Sequence, residues 1–145
     1  MSLVPFRGDF HVEYYPKTAS TAFAYGDAVT ILPTAAGAGT LAKVTSSSPY
    51  ILGTILKKVT STDSDYASTT MVPVLIPGED SEFLCLCSTT SAATTDQGEF
   101  VDANDELSLN VGSYTYGVAQ VTSVLSSTSV IAKFTKKSGP SITTA

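Results

Sequence analysis

The chain holds few residues able to do chemistry, and their spacing does not suit it. Its single histidine is His11, and its two cysteines are Cys85 and Cys87. A nucleophile needs a base beside it, most often a histidine. His11 lies in the N-terminal segment, so no catalytic triad is expected on it. Cys85 and Cys87 stand two apart, which in a strand places both on one face. A bond between them would strain the backbone, and a metal site needs about four ligands. Both are therefore read as small fillers of a buried strand face. Gly37-Ala38-Gly39-Thr40 resembles a phosphate loop only superficially, because it lacks the lysine and the helix that follow one. Glu79, Asp80 and Glu82 form one acidic cluster, and Asp102, Asp105 and Glu106 another. Neither has calcium-loop spacing, and the chain has no tryptophan to stack on a sugar. Both clusters are read as solvated turn carboxylates. No catalytic, cofactor-binding or metal-binding residue is assigned, no cofactor is expected, and the chain is not expected to be an enzyme.

Composition narrows the reading further. The chain has 145 residues, of which 43% are hydrophobic and only 14% charged. The charged share is well below the roughly 25% of an average soluble domain. Ser and Thr supply most of the remaining polar surface, and threonine suits a half-buried strand. The net charge is −5. Nucleic-acid binding normally needs a basic surface to displace counterions, so no nucleic-acid partner is expected. The lysines that cluster, Lys57-Lys58 and Lys133 with Lys136-Lys137, read as solvated strand ends that discourage aggregation. No run of about 18 apolar residues occurs, so no membrane span is expected. The N-terminal residues do not read as a secretory signal, which points to synthesis in a cytoplasm.

The elements that must position these residues are strands and turns. Gly26-Asp27-Ala28-Val29 enters a strand over 29–32. The segment 41–45 alternates apolar and polar, the period of a half-buried strand. Further strands are expected over 50–59, with Gly53 marking a bulge or close backbone approach, and over 69–76. The apolar run 82–87 reads as a strand buried on both faces. Short strands at 99–101 and 107–110 flank a turn at 102–105. A last hairpin joins 114–124 to 129–135. Polar or flexible loops are expected at 35–40, 60–68 and 88–98. No segment carries a 3.6-residue stripe, so helix content should be low. The fold class is all-β, a small barrel or sandwich with an extended N-terminal arm. The division is an arm at 1–22, a β-domain at 23–137 and a loose tail at 138–145. The arm is rich in aromatics, with Phe6, Phe10, Tyr14 and Tyr15 among interleaved charges. It should order against a surface, either its own barrel or a neighbouring subunit. Arg7-Gly8-Asp9 spells an integrin-ligand tripeptide, which is read as coincidence.

Gly26-Asp27-Ala28-Val29, Ile51-Leu52-Gly53-Thr54, Val72-Pro73-Val74 and Tyr116-Gly117-Val118-Ala119 together resemble the capsid decoration (cement) proteins of tailed bacteriophages. The likeness covers roughly residues 22–136 and is a profile of turns and strands rather than a strict motif. The loops at 60–70 and 88–98 are longer than in the most compact members. The resemblance implies a non-enzymatic virion protein on the outer surface of the expanded head. Its partners would be the phage major capsid protein and further copies of itself, as a homotrimer. On that reading Pro5, Phe6, Arg7, Phe10, Tyr14 and Tyr15 are capsid or inter-subunit contacts. The alternative is a head-fibre or host-surface carbohydrate-binding module, with Tyr25, Tyr50, Tyr66, Tyr114 and Tyr116 as candidate sugar platforms. A trimeric nucleotidohydrolase would suit the length, but its glycine-rich phosphate motif and strand aspartate are missing.

Overall fold

Among the described residues, alternation of apolar and polar residues is carried out as short strands joined by turns and loops. A computed structural model describes residues 3–32, 39–87 and 91–135. The strands are β1 (Leu3–Arg7), β2 (Phe10–Pro16), β3 (Ala28–Ile31), β4 (Leu41–Lys43), β5 (Gly53–Ile55) and β6 (Met71–Pro77). They continue with β7 (Glu82–Cys87), β8 (Phe100–Asp105), β9 (Ser108–Asn110), β10 (Ala119–Ser126) and β11 (Ser129–Phe134). One 3-10 turn at Thr94–Asp96 is the helical content among the described residues. The all-β class read from sequence is the class observed.

Two sheets form, each with its own core. The first runs β1-β7-β11-β10-β8-β9, and β9 returns to pair parallel with β7 through Leu86–Ser108 and Cys87–Leu109. That pairing closes β7, β11, β10, β8 and β9 into a barrel. β1 takes the first part of the same β7 edge, with Leu3 opposite Cys85 and Arg7 opposite Glu82. The barrel is filled by Leu3, Phe83, Cys85, Val101, Leu109 and Val130, among others. Phe83 stacks on Phe134 with ring centroids 4.1 Å apart. Both thiols are free and buried, as the spacing predicted. Burial pushes the Cys87 pKa up to about 11 and that of Cys85 further still.

The second sheet runs β2-β6-β5-β3-β4. Its inner face carries Val29, Leu41, Ile55, Val72, Val74 and Ile76. Its edges β2 and β4 meet where Lys17 bridges Leu41 and the Thr18 N–H donates to Leu41 O at 3.2 Å. Lys17 is wholly buried at this junction. Its Nζ donates to Tyr66 O at 2.9 Å and Ser68 O at 2.6 Å, so the ammonium is held by loop carbonyls. Nothing in the sequence distinguishes this lysine from its solvated neighbours. The two units join along β3: Ala28 belongs to the barrel core and Val29 to the second core. The Ala28 N–H donates to Glu106 O at 3.0 Å across the join.

Several expectations change. The turn-and-strand runs divide between two sheets: those at 26–32, 50–56 and 71–76 build β3, β5 and β6, and those at 105–109, 116–121 and 130–134 build β9, β10 and β11. Among the described residues, 3–17 do not form a separate arm; they supply β1 to the barrel sheet and β2 to the second sheet. Of the two surfaces the segment was expected to order against, it lies on its own chain. The apolar residues of the segment explain this. Phe10 packs edge-to-face on Phe83 at 5.4 Å, and Tyr15 packs against the second core. The turn expected at 102–105 is the end of β8, and the chain reverses at Glu106 and Leu107 instead. The strand expected over 50–59 pairs only at Gly53–Ile55, with an isolated bridge from Val59 to Phe23. The strand expected over 114–124 starts at Ala119, because residues 113–117 are gathered around Asp102. The loop at 35–40, the tail at 138–145 and Lys136-Lys137 fall wholly or largely outside the described residues.

Candidate functional site

Period-2 alternation in β2 and β6 places two kinds of residue back to back. Val72, Val74 and Ile76 point into the second core. Met71, Pro73 and Leu75 therefore point away from it. The antiparallel register sets Val12 opposite Leu75, Tyr14 opposite Pro73 and Pro16 opposite Met71. The Leu56 N–H donates to Pro73 O at 2.9 Å, which adds Leu56 to the row. Seven apolar side chains thus share the outer face of β2, β6 and the end of β5. Tyr14 is 62% exposed, Met71 57% and Val12 48%. At the Phe10–Pro77 end the same face is covered by the barrel through Phe10 on Phe83. Beyond that Val12, Tyr14 and Met71 stand exposed, with Pro16, Leu56, Pro73 and Leu75 half-buried between them. An apolar patch this contiguous marks an interaction surface more often than a single exposed leucine does.

The other face of β2 is polar at its exposed end. His11 Nε2 and Glu13 Oε2 lie 2.6 Å apart, and Tyr15 OH donates to Glu13 Oε1 at 2.6 Å. Burial, reinforced by the Glu13 carboxylate, pushes the Tyr15 hydroxyl up to about 12.

The six residues singled out from sequence separate into two groups. Tyr14 is on the bare face, and Phe6 is exposed under the Arg7 guanidinium, 5.0 Å from its ring centroid. Arg7 also bonds Glu82, whose carboxylate accepts from Thr122 Oγ1 at 2.6 Å. The Thr122 hydroxyl, with Arg7, holds the Glu82 pKa below its usual range against the effect of burial. Pro5 is half-buried in β1, and Phe10 and Tyr15 are packed against the two cores. Sequence reasoning missed Val12, Pro16, Leu56, Met71, Pro73 and Leu75. The signal was present in the alternation of 71–76, where the odd positions are as apolar as the even ones.

A concave feature lies where the two units meet. It is an open cleft of about 490 Å³ lined by Phe23, Asp27, Lys43, Val59, Glu106 and Leu107, among others. Asp27 is 4% exposed, and its Oδ2 accepts from the Ala24 N–H at 2.8 Å. Lys43 and Glu106 approach to 4.0 Å across the join. Burial, with the Glu106 carboxylate adding to it, pushes the Asp27 pKa up despite the Ala24 bond. A carboxyl raised in this way favours the fold fully only below its unfolded pKa of about 3.9. That contribution is lost as pH rises through the folded value. Asp27→Asn keeps an acceptor for Ala24 and removes the buried charge. It is expected to raise the melting temperature at pH 7 and to leave it nearly unchanged at pH 3. A lower melting temperature at pH 7 would show that the charge itself holds the turn.

The remaining candidates do not converge. Among the described residues no three His, Cys, Asp or Glu side chains are grouped as metal ligands. Of the five tyrosines considered as sugar platforms, Tyr66 and Tyr116 pack on the cores and the Tyr50 OH accepts from the Ile31 N–H at 3.3 Å. Tyr25 and Tyr114 are exposed, but in different loops. The chain matches no known protein-family model, and no curated protein is similar to it in sequence.

Proposed function

We propose that this chain decorates the outside of an expanded tailed-phage head and stabilises it by clamping neighbouring major capsid subunits. The observation that carries the reading is the bare apolar face of β2, β5 and β6. It is presented by a rigid, charge-poor double β-unit whose sequence offers little chemistry. The turn-and-strand profile resembling capsid decoration proteins supports the same reading. A face of Val12, Tyr14, Met71 and their neighbours supplies hydrophobic contact, and tyrosine and methionine are favoured at the centres of protein interfaces. Several copies bound to a repeating shell add the effect of multivalency to a modest single contact. The clamp acts from outside the head, so it needs no basic surface toward DNA.

Purified protein mixed with expanded heads that lack it should co-sediment saturably. Tyr14→Asp combined with Met71→Asp should weaken that binding about 100-fold or more, since two charges would be desolvated at the contact. Both positions are already exposed, so the variant's melting temperature should hardly move. Equal binding by the variant would remove this face from the proposal.

A further inference from the structure

We infer that β2 pairs, antiparallel and centred on Val12, with β2 of a second copy of this chain.

Among the described residues, β2 is an edge strand of the second sheet. Lys17 N–H donates to Thr70 O at 3.0 Å, and Gly78 N–H donates to Asp9 O at 2.9 Å. Antiparallel alternation then turns the backbone groups of His11, Glu13 and Tyr15 toward β6. Those of Phe10, Val12 and Tyr14 point the other way. The Thr18 N–H, aimed at Leu41 rather than β6, continues the same alternation. Among the described residues no strand covers the edge from Phe10 to Tyr14. Exposed edges of this kind are templates for another strand, and proteins usually blunt them with proline, a bulge, lysine or shortness. β1 has Pro5 and a register shift between Pro5 and Arg7, and β4 is three residues long. β2 runs straight through seven residues, with proline only at its end.

The occupant follows from the sequence of the edge itself. With Val12 opposite Val12 of the second copy, Phe10 faces Tyr14 and Tyr14 faces Phe10. All three outward residues then pair with outward residues, so their N–H and C=O groups find partners in both copies. On the apolar side this gives aromatic–aromatic pairs flanking a valine pair, which are favourable cross-strand neighbours. On the other side His11 of each copy faces Glu13 of the other. The neighbouring registers compatible with the outward groups are centred on His11 or Glu13, and each places that residue against its own kind. The edge is thus self-complementary in one register. The resulting contact is two-fold and isologous, and it joins the bare faces of two copies into one wider apolar sheet. It differs from the three-fold ring that the resemblance implies.

The test does not involve heads, so its failure leaves the head-binding proposal standing. Sedimentation equilibrium of the full chain should give twice the 15.1 kDa chain mass as concentration rises. Over the same range, the amides of Phe10, Val12 and Tyr14 should become protected from hydrogen exchange, while those of His11 and Glu13 are protected throughout. Val12→Pro removes an N–H that the single copy does not use, and should raise the dimer dissociation constant about 30-fold. His11→Glu and Glu13→Lys should each weaken pairing alone, and mixing the two variants should restore a mixed dimer. A monomer at all concentrations, a mass of three chains, or concentration-dependent protection elsewhere than Phe10, Val12 and Tyr14 would overturn the inference.

Discussion

Gly53→Ala is expected to destabilise the protein by about 3 kcal/mol or more, a large part of the roughly 5–15 kcal/mol that holds a domain folded. Gly53 is the first residue of β5, which lies between β3 and β6, with Val29 opposite Gly53 and Leu75 opposite Thr54. A Cβ placed on it would meet the Leu75 carbonyl oxygen at 2.1 Å and the Val74 side chain at 3.2 Å. The first contact is with backbone, so no side-chain rotation relieves it. Either β5 separates from β6 or the strands shift. Each route opens the second core at Ile55 and Val74, which are fully buried. Urea unfolding should show the loss as a lower midpoint. A variant within 1 kcal/mol of the parent would mean that β5 and β6 can part there at little cost. The sequence already marked Gly53 as a bulge or a close backbone approach; it is a close approach.

Asp102→Ala should have a comparable effect by a different route. Asp102 is 2% exposed, and its carboxylate accepts from Ser113 Oγ at 2.6 Å and from the N–H groups of Thr115, Tyr116 and Gly117 at 2.9, 2.6 and 2.8 Å. Removing it leaves those donors without their acceptor at the mouth of the barrel, which should destabilise by about 3–4 kcal/mol. Burial alone would push its pKa up. The bonds from Ser113, Gly117, Tyr116 and Thr115 together outweigh burial and hold it below the usual range. A depressed folded pKa adds stability that is present above the unfolded value of about 3.9. That stability disappears as pH falls through the folded value. Asp102→Asn should therefore be less stable than the parent at pH 7, with the gap narrowing as pH falls below about 3.9. A gap independent of pH would place the loss in packing rather than in the carboxylate.

How much of this was legible beforehand depends on what each residue's role leaves in the sequence. Strands with clean alternation were legible, and the bounds of β7 were read to the residue, but its second face is not buried as expected, since Leu86 is 46% exposed. The burial of Cys85 and Cys87 was legible too, since spacing alone puts them on one face. Asp102 was misread because a buried carboxylate and a turn carboxylate look alike in one dimension. Its donors lie eleven to fifteen positions further on. Lys17 was missed for the same reason, its acceptors being carbonyls of Tyr66 and Ser68. The face of Val12, Tyr14, Pro16, Leu56, Met71, Pro73 and Leu75 brings together three separate stretches, and only the register of β2 on β6 makes it one surface.

That register also alters what a truncation would report. Removing residues 2–16 would leave a folded barrel if they belonged to the separate arm expected from sequence. It would in fact delete β1 and β2, strip Leu3 and Tyr15 from the cores and expose the β6 edge. Lost binding would then say little about contact. Surface substitutions at Tyr14 and Met71 separate contact from folding because neither side chain supports a core.

The most direct measurement is the image of expanded heads saturated with the full chain, reconstructed by electron cryo-microscopy. The account predicts added density at fixed positions on the outer shell, bridging neighbouring capsid subunits, with the Val12–Tyr14–Met71 face turned toward them. Bare shells after incubation with folded protein would contradict the proposed function. Density attached through the barrel, with that face left in solvent, would contradict its assignment to this surface.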